Sequence, residues 1–223
     1  MIVSMASKKK IVITKNGAYI VSGGIPLFNE AMVCDKDGFA IAWKKGKKIP
    51  ASENYLLCRC GKSKKKPFCD NTHIKEKFDG TERASLKKYS AYAEKFVGPR
   101  LTLTDNPDFC NHAGFCTTGI GVWEAVSDSN NKKSKKIAIK ETCNCPTGRL
   151  VIWDKKTGKA IEPKFEESIS VTTEPEGEGA LWVKGGIQII SSSKKKYEKR
   201  NRVALCRCGK SSNMPFCDGA HLE

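Results

Sequence analysis

CRCGKSKKKPFCDNTH, from Cys58 to His73, and CRCGKSSNMPFCDGAH, from Cys206 to His221, are one sixteen-residue pattern written twice. Every cysteine and the histidine fall at the same offset. Ser63 and Ser211, Pro67 and Pro215, Phe68 and Phe216, and Asp70 and Asp218 coincide as well. Upstream, NGAYIVSGGIPL (Asn16–Leu27) echoes EGALWVKGGIQI (Glu178–Ile189). The repeated unit therefore reads as a strand, a Gly-Gly bend, a second strand and then a ligand loop. The first copy carries extra residues between bend and loop, among them GFAIAW (Gly38–Trp43), which alternates like one more strand.

The rest of the composition narrows the class. The 223 residues suffice for two small domains or one elongated one. Mean hydropathy is −0.45, and no apolar run reaches the length that spans a bilayer. The N-terminal MIVSMASKKK is charged where a secretory leader needs an apolar core, so the expected location is cytoplasmic. Net charge is +16, in runs such as Lys8–Lys10, Lys44–Lys48, Lys64–Lys66, Lys132–Lys136 and Lys194–Lys196. Such a surface attracts acidic proteins or nucleic acid, yet lysine outweighs arginine and no aromatic-rich nucleic-acid module interleaves with it.

Eleven cysteines are the telling count. In a reducing compartment, clustered cysteines point to metal rather than to disulfides. Ten fall into tight groups, and all three histidines, His73, His112 and His221, lie inside those groups. Cys34 stands alone and reads as a buried small hydrophobe.

The spacing itself has chemical content. Cys58 and Cys60 flank one residue, so extended backbone sends both sulfurs to one side, where they can grip one iron. Cys69 and His73 are four apart, and a helical turn would stack them to grip a second. Gly61 and Pro67 let the chain wrap the bridging sulfides. Three thiolates and one imidazole suit a [2Fe–2S] cluster, whose potential rises when imidazole replaces thiolate. The same donors also make up a closed zinc set, although zinc knuckles usually space their cysteines as Cys-x2-Cys. Asp70 and Asp218, just after a ligand cysteine, are placed to cap the first free amides of a turn.

These motifs resemble the signature of the CDGSH iron–sulfur (NEET, mitoNEET-like) family, Cys-x-Cys-x2-Ser/Thr-x3-Pro-x-Cys-Asp-Gly-Ser/Ala-His. The second copy matches with CDGAH at Cys217–His221; the first departs with CDNTH at Cys69–His73. Asn71 in place of glycine suits a position that wants positive φ. The resemblance assigns Cys58, Cys60, Cys69 and His73 to one [2Fe–2S] cluster, and Cys206, Cys208, Cys217 and His221 to another. Single-motif members are intertwined homodimers with a β-cap, and two-motif members look like that dimer folded into one chain. A monomer with an internal pseudo-two-fold is therefore expected, rather than a homodimer.

Between the copies, RLTLT (Arg100–Thr104), KIAIK (Lys136–Lys140), RLVIWD (Arg149–Asp154) and SISVTT (Ser168–Thr173) are short and β-like. Ser127–Lys136, Thr173–Gly179 and Ser191–Lys199 read as linkers. DFCNHAGFC (Asp108–Cys116) and CPTGRL (Cys145–Leu150) resemble the divergent single-cluster ferredoxin-like domain. That likeness implies a third iron–sulfur cluster on Cys110, Cys116 and Cys145, with Cys143 or His112 as the fourth ligand. A disulfide, a zinc site or an empty remnant are the alternatives there.

The expected fold is mainly β, with two pseudo-symmetric CDGSH-type halves at residues 10–99 and 173–223. A small β-rich, ferredoxin-like segment is inserted at residues 100–172. No dinucleotide loop, P-loop or nucleophile elbow is present, which argues against an enzyme. The expected role is electron transfer, or cluster transfer to redox or apo-acceptor proteins. The competing role is a zinc- or cluster-stabilised basic module on nucleic acid, which a colourless zinc-bearing preparation would favour.

Overall fold

The computed structural model describes residues 8–223. The first half begins with β1 (Lys10–Ile13), β2 (Tyr19–Ser22), β3 (Leu27–Cys34), β4 (Ala40–Ile49) and β5 (Tyr55–Leu57), followed by the short helix α1 (Thr72–Lys75). Next come β6 (Glu94–Val97), β7 (Leu101–Asp105), α2 (Val122–Ser127), α3 (Lys132–Asn144), β8 (Leu150–Asp154) and β9 (Ala160–Ile161). The chain closes with β10 (Ser168–Glu174), β11 (Gly177–Lys184), β12 (Gln188–Ile190) and β13 (Arg202–Leu205).

These strands form three sheets, ordered β12-β1-β2-β5, β13-β11-β10-β3-β4 and β6-β7-β8-β9. The repeat is visible in the first two. In each half a hairpin, β1–β2 or β10–β11, lies beside the strand that leads into the ligand loop, β5 or β13. The strand after each Gly-Gly bend leaves its own half. β3 pairs in parallel with β10, and β12 pairs in parallel with β1. Each half thus lends one strand to the other half's sheet.

Alternation explains which faces meet. Ile11 and Ile13 of β1, Tyr19 and Val21 of β2, Ile169 of β10 and Leu181 and Val183 of β11 are all buried in one core. Leu57, Leu205 and Phe216 bring the roots of both ligand loops into that core. Each such side chain contributes about 1.5–3 kcal/mol on burial. The third sheet has its own core of Leu101, Leu103, Val122, Ala125, Val126, Ala138, Leu150 and Ile152.

Four expectations are corrected. KIAIK is not a strand but the middle of α3. Its half-buried Ile137 and Ile139 mimic alternation, while Ser134, Ala138, Glu141 and Thr142 are buried at helical spacing. The supposed linker at Ser127–Lys136 supplies the helix start, where the Asn131 side chain accepts from the amides of Lys133 and Ser134. The stretch Thr173–Gly179 is a tight turn inside the β10–β11 hairpin, with Glu174 paired to Gly177. Cys34, at the end of β3, is half-buried rather than buried. Among the described residues no helix is long and apolar enough to cross a membrane.

Candidate metal centres

Each motif residue that the two copies share has a structural task. The loops are pinched at their roots, where Leu57 bridges Phe68 and Leu205 bridges Phe216. The Cys58 amide donates to Pro67 O at 2.8 Å and the Cys69 amide to Leu56 O at 2.9 Å; Cys206 to Pro215 O and Cys217 to Ala204 O repeat this, both at 2.9 Å. Ser63 Oγ donates to Phe68 O at 2.7 Å, and Ser211 Oγ to Phe216 O at 2.6 Å. Asp70 accepts from the amides of Lys64 and Thr72, while Asp218 accepts from those of Ser212 and Ala220. The aspartate therefore caps the turn, as expected, and also ties it back to the loop.

Within each loop the donors gather in two pairs. Cys58 Sγ and Cys60 Sγ are 3.8 Å apart, and Cys69 Sγ is 3.4 Å from His73 Nδ1. In the second copy Cys206 and Cys208 are 3.6 Å apart, and Cys217 Sγ is 3.5 Å from His221 Nδ1. The Cys69–His73 approach is not the helical stacking expected. Cys69 precedes α1, and left-handed Asn71 (φ 67) folds His73 back towards it; Gly219 (φ 89) does the same for His221. Every pair has the separation of two donors on one tetrahedral metal. Among the described residues, however, no three Cys, His, Asp or Glu side chains converge on a single ion. Two metals joined by bridging atoms would use donors grouped in pairs in this way.

The protonation of the metal-free cages follows from crowding. Burial pushes the Cys60 and Cys69 thiols up, and the neighbouring sulfurs add to the shift. In the second cage a hydrogen bond from Cys206 brings Cys208 down to about 6, while Cys206 is driven far up as the partner that keeps the proton. Hydrogen bonds to Cys217 and Glu174 push His221 up to about 10. Loading either cage must therefore expel protons.

The two loops also meet back to back. A Cβ on Gly61 would lie within 2.5 Å of Cys208 O, and one on Gly209 would stand 2.6 Å from Cys60 O. Both glycines have positive φ (73 and 83). Gly61→Ala is expected to cost about 3 kcal/mol, from left-handed strain plus overpacking against backbone. Gly158→Ala, with positive φ but open space around it, should cost only the strain. Denaturant unfolding of both variants checks this, and equal losses would refute the contact.

Sequence reasoning missed the arginine between the ligand cysteines. Arg59 is 1% exposed and turns away from the sulfurs. Its Nε donates to Gly17 O at 2.8 Å and its Nη2 to Thr14 O at 3.1 Å, so it clamps the β1–β2 hairpin to the ligand loop. The repeated Cys-Arg-Cys was the available signal. Tyr19, from the first half, reaches across and donates to Cys206 O at 2.8 Å.

In the insert, Cys110, Cys116 and Cys145 line one cavity of about 340 Å³, together with His112, Trp123 and Arg149. Cys143 lies outside it, its sulfur 3.9 Å from Ile161 O. Burial pushes Cys116 up to about 11, with Cys145 and Cys110 adding to the shift. Arg149, which sequence reasoning did not single out, donates from Nη1 to Cys110 Sγ at 3.1 Å and is held by Asp105 at 2.6 and 2.9 Å. Three thiols beside a fixed cation suit an anionic thiolate-bound group.

The family model described as the iron-binding zinc finger CDGSH type matches residues 16–74 and 178–222. The model of a divergent 4Fe-4S mono-cluster matches residues 96–155. No curated protein and no solved structure gave a match.

Proposed function

For a chain that carries two CDGSH-type iron-binding segments around a divergent 4Fe-4S mono-cluster domain, we propose the role of an iron–sulfur carrier that passes electrons, or hands over clusters, to redox or apo-acceptor proteins. Cys58, Cys60, Cys69 and His73 would hold one [2Fe–2S] cluster, and Cys206, Cys208, Cys217 and His221 the other. In each, two sulfurs serve one iron and a sulfur with His Nδ1 serves the second. The observation that carries this is the two-plus-two grouping of donors in both loops. Bound there, such a cluster supplies one-electron chemistry, at a potential raised by its neutral imidazole.

Cys110, Cys116 and Cys145 would hold the third cluster, of the 4Fe-4S type, with His112 as the fourth ligand. His112 lines that cavity and Cys143 does not. The insert would then be a further station for electrons rather than a spacer.

Iron and acid-labile sulfide analysis, with electron paramagnetic resonance of the reduced protein, tests both parts. A red-brown protein with iron and sulfide in equal amounts and [2Fe–2S] signals is expected, with a separate [4Fe–4S] signal that Cys145→Ala abolishes. Zinc without sulfide in the two repeated loops would overturn the proposal.

A further inference from the structure

The repeated cages agree in their donors but differ behind the histidine. His221 turns Nδ1 to Cys217, and its Nε2 lies 3.0 Å from Glu174 Oε2. The two side chains are only 6% and 2% exposed. Glu174 is the last residue of β10, and its Oε1 has no hydrogen-bond partner. Its hydrogen-bonding capacity is therefore directed at the imidazole. Gly179 makes the space, since a Cβ there would stand 2.5 Å from Glu174 Oε1.

Among the described residues, the groove beside His73 is lined by no carboxylate. Thr14 Oγ1 donates to Ala18 O at 2.8 Å and Thr172 Oγ1 to Ala180 O at 2.9 Å, so equivalent bonds close a short turn in the first hairpin and a longer one in the second. Glu174 lies in the longer turn; Asn16, in the shorter one, aligns with Glu178. Asn16 Oδ1 is engaged with the Gly80 amide instead. His73 lies over Gly17, whose Cβ would be 3.3 Å from Nε2. It borders an open groove of about 360 Å³ lined by Lys15, Asn16, Ile74, Lys77 and Phe78. One histidine thus meets a buried carboxyl group, and the other an open groove edged by two lysines.

A carboxylate that accepts from the far nitrogen of a ligand imidazole fixes its orientation and raises its basicity. Fixed negative charge near a cluster favours the oxidised state, and burial keeps that charge from being screened. We propose that Glu174 is a positioning residue that makes the two centres inequivalent. It sets the His221 centre at the lower reduction potential, so that a single added electron resides at the His73 centre, the one open to partners. The inference rests on the cluster assignment above.

The test is a potentiometric titration of the full loaded chain with dithionite, which is oxidised as each centre gains one electron, followed by electron paramagnetic resonance. Two one-electron steps are expected, separated by at least tenfold in equilibrium constant, or 59 mV. His73→Cys should lower the upper step and His221→Cys the lower one, which assigns them. Glu174→Gln should raise the lower step to within tenfold of the upper and leave the upper in place. Coincident steps in the wild-type chain would overturn the inference without recourse to any variant. So would a lower step that Glu174→Gln does not move. A protein without iron and sulfide in these loops would instead sink the cluster assignment itself.

Discussion

Cys208→Ala is expected to strip the His221 cage of iron while leaving the His73 cage loaded, halving the [2Fe–2S] signal. Cys208 is the sulfur held down to about 6 in the metal-free pair, while Cys206 keeps the proton. Its loss leaves Cys206 without its partner sulfur and fully buried, where desolvation disfavours the thiolate that a metal needs. The stability effect should be large, because ligand binding free energy is folding free energy in such sites, on the order of 10 kcal/mol for comparable thiolate cages. Cys60→Ala should give the mirror result. Iron content and the visible spectrum of both variants check it, and retention of a full iron complement in Cys208→Ala would remove that sulfur from the ligand set.

The second large effect is expected far from either histidine. Arg202→Ala should cost about 3–5 kcal/mol, the usual penalty for removing one partner of a buried ionic cluster. Arg202 is 1% exposed at the start of β13. Its Nε donates to Cys145 O at 2.7 Å, and its Nη2 to Thr142 O at 2.9 Å and Leu150 O at 3.1 Å; its charge pairs with Glu162. Thr142 lies in the last turn of α3, so the cation also meets the helix end that attracts positive charge. Alanine would remove the buried cation from three carbonyls and the Glu162 carboxylate at once. It would also free the segment that places Cys145, so the insert's iron should be lost before that of the repeated loops. Denaturant unfolding with iron counting measures both effects. A loss under about 1 kcal/mol would show that water replaces the guanidinium at no great cost.

The two matching loops were legible because the spacing is repeated and each shared residue closes the loop in the same way. RLTLT, RLVIWD and SISVTT were legible as strands because their short β-like apolar runs supply buried strand positions, and GFAIAW marks the start of β4 although its exposed Phe39 lies before the strand. The strand exchange was not, because the parallel pairing of Ile11 with Ile189 or Leu27 with Ile169 joins segments whose partnership leaves no local pattern. KIAIK misled because its alternation was stronger than the polar helix-capping signal before it. Spacing left Cys143 and His112 undecided, because neither the contact of Cys143 with Ile161 O nor the lining of the cavity by His112 leaves a local pattern. Glu174 was hidden in a stretch that composition marks as a connector. Its significance depends on a histidine 47 residues away.

The crossed strands bear on how the chain is born. β1 leaves the ribosome well before its partner β12, some 178 residues later and on the order of ten seconds or more at common synthesis rates. β3 waits in the same way for β10, and until then both present open edges on which a neighbouring nascent chain could pair. The first ligand loop matures beside sheets that stay incomplete until β10 and β12 have been made. Stalling before β12 would therefore damage the early half as much as the late one.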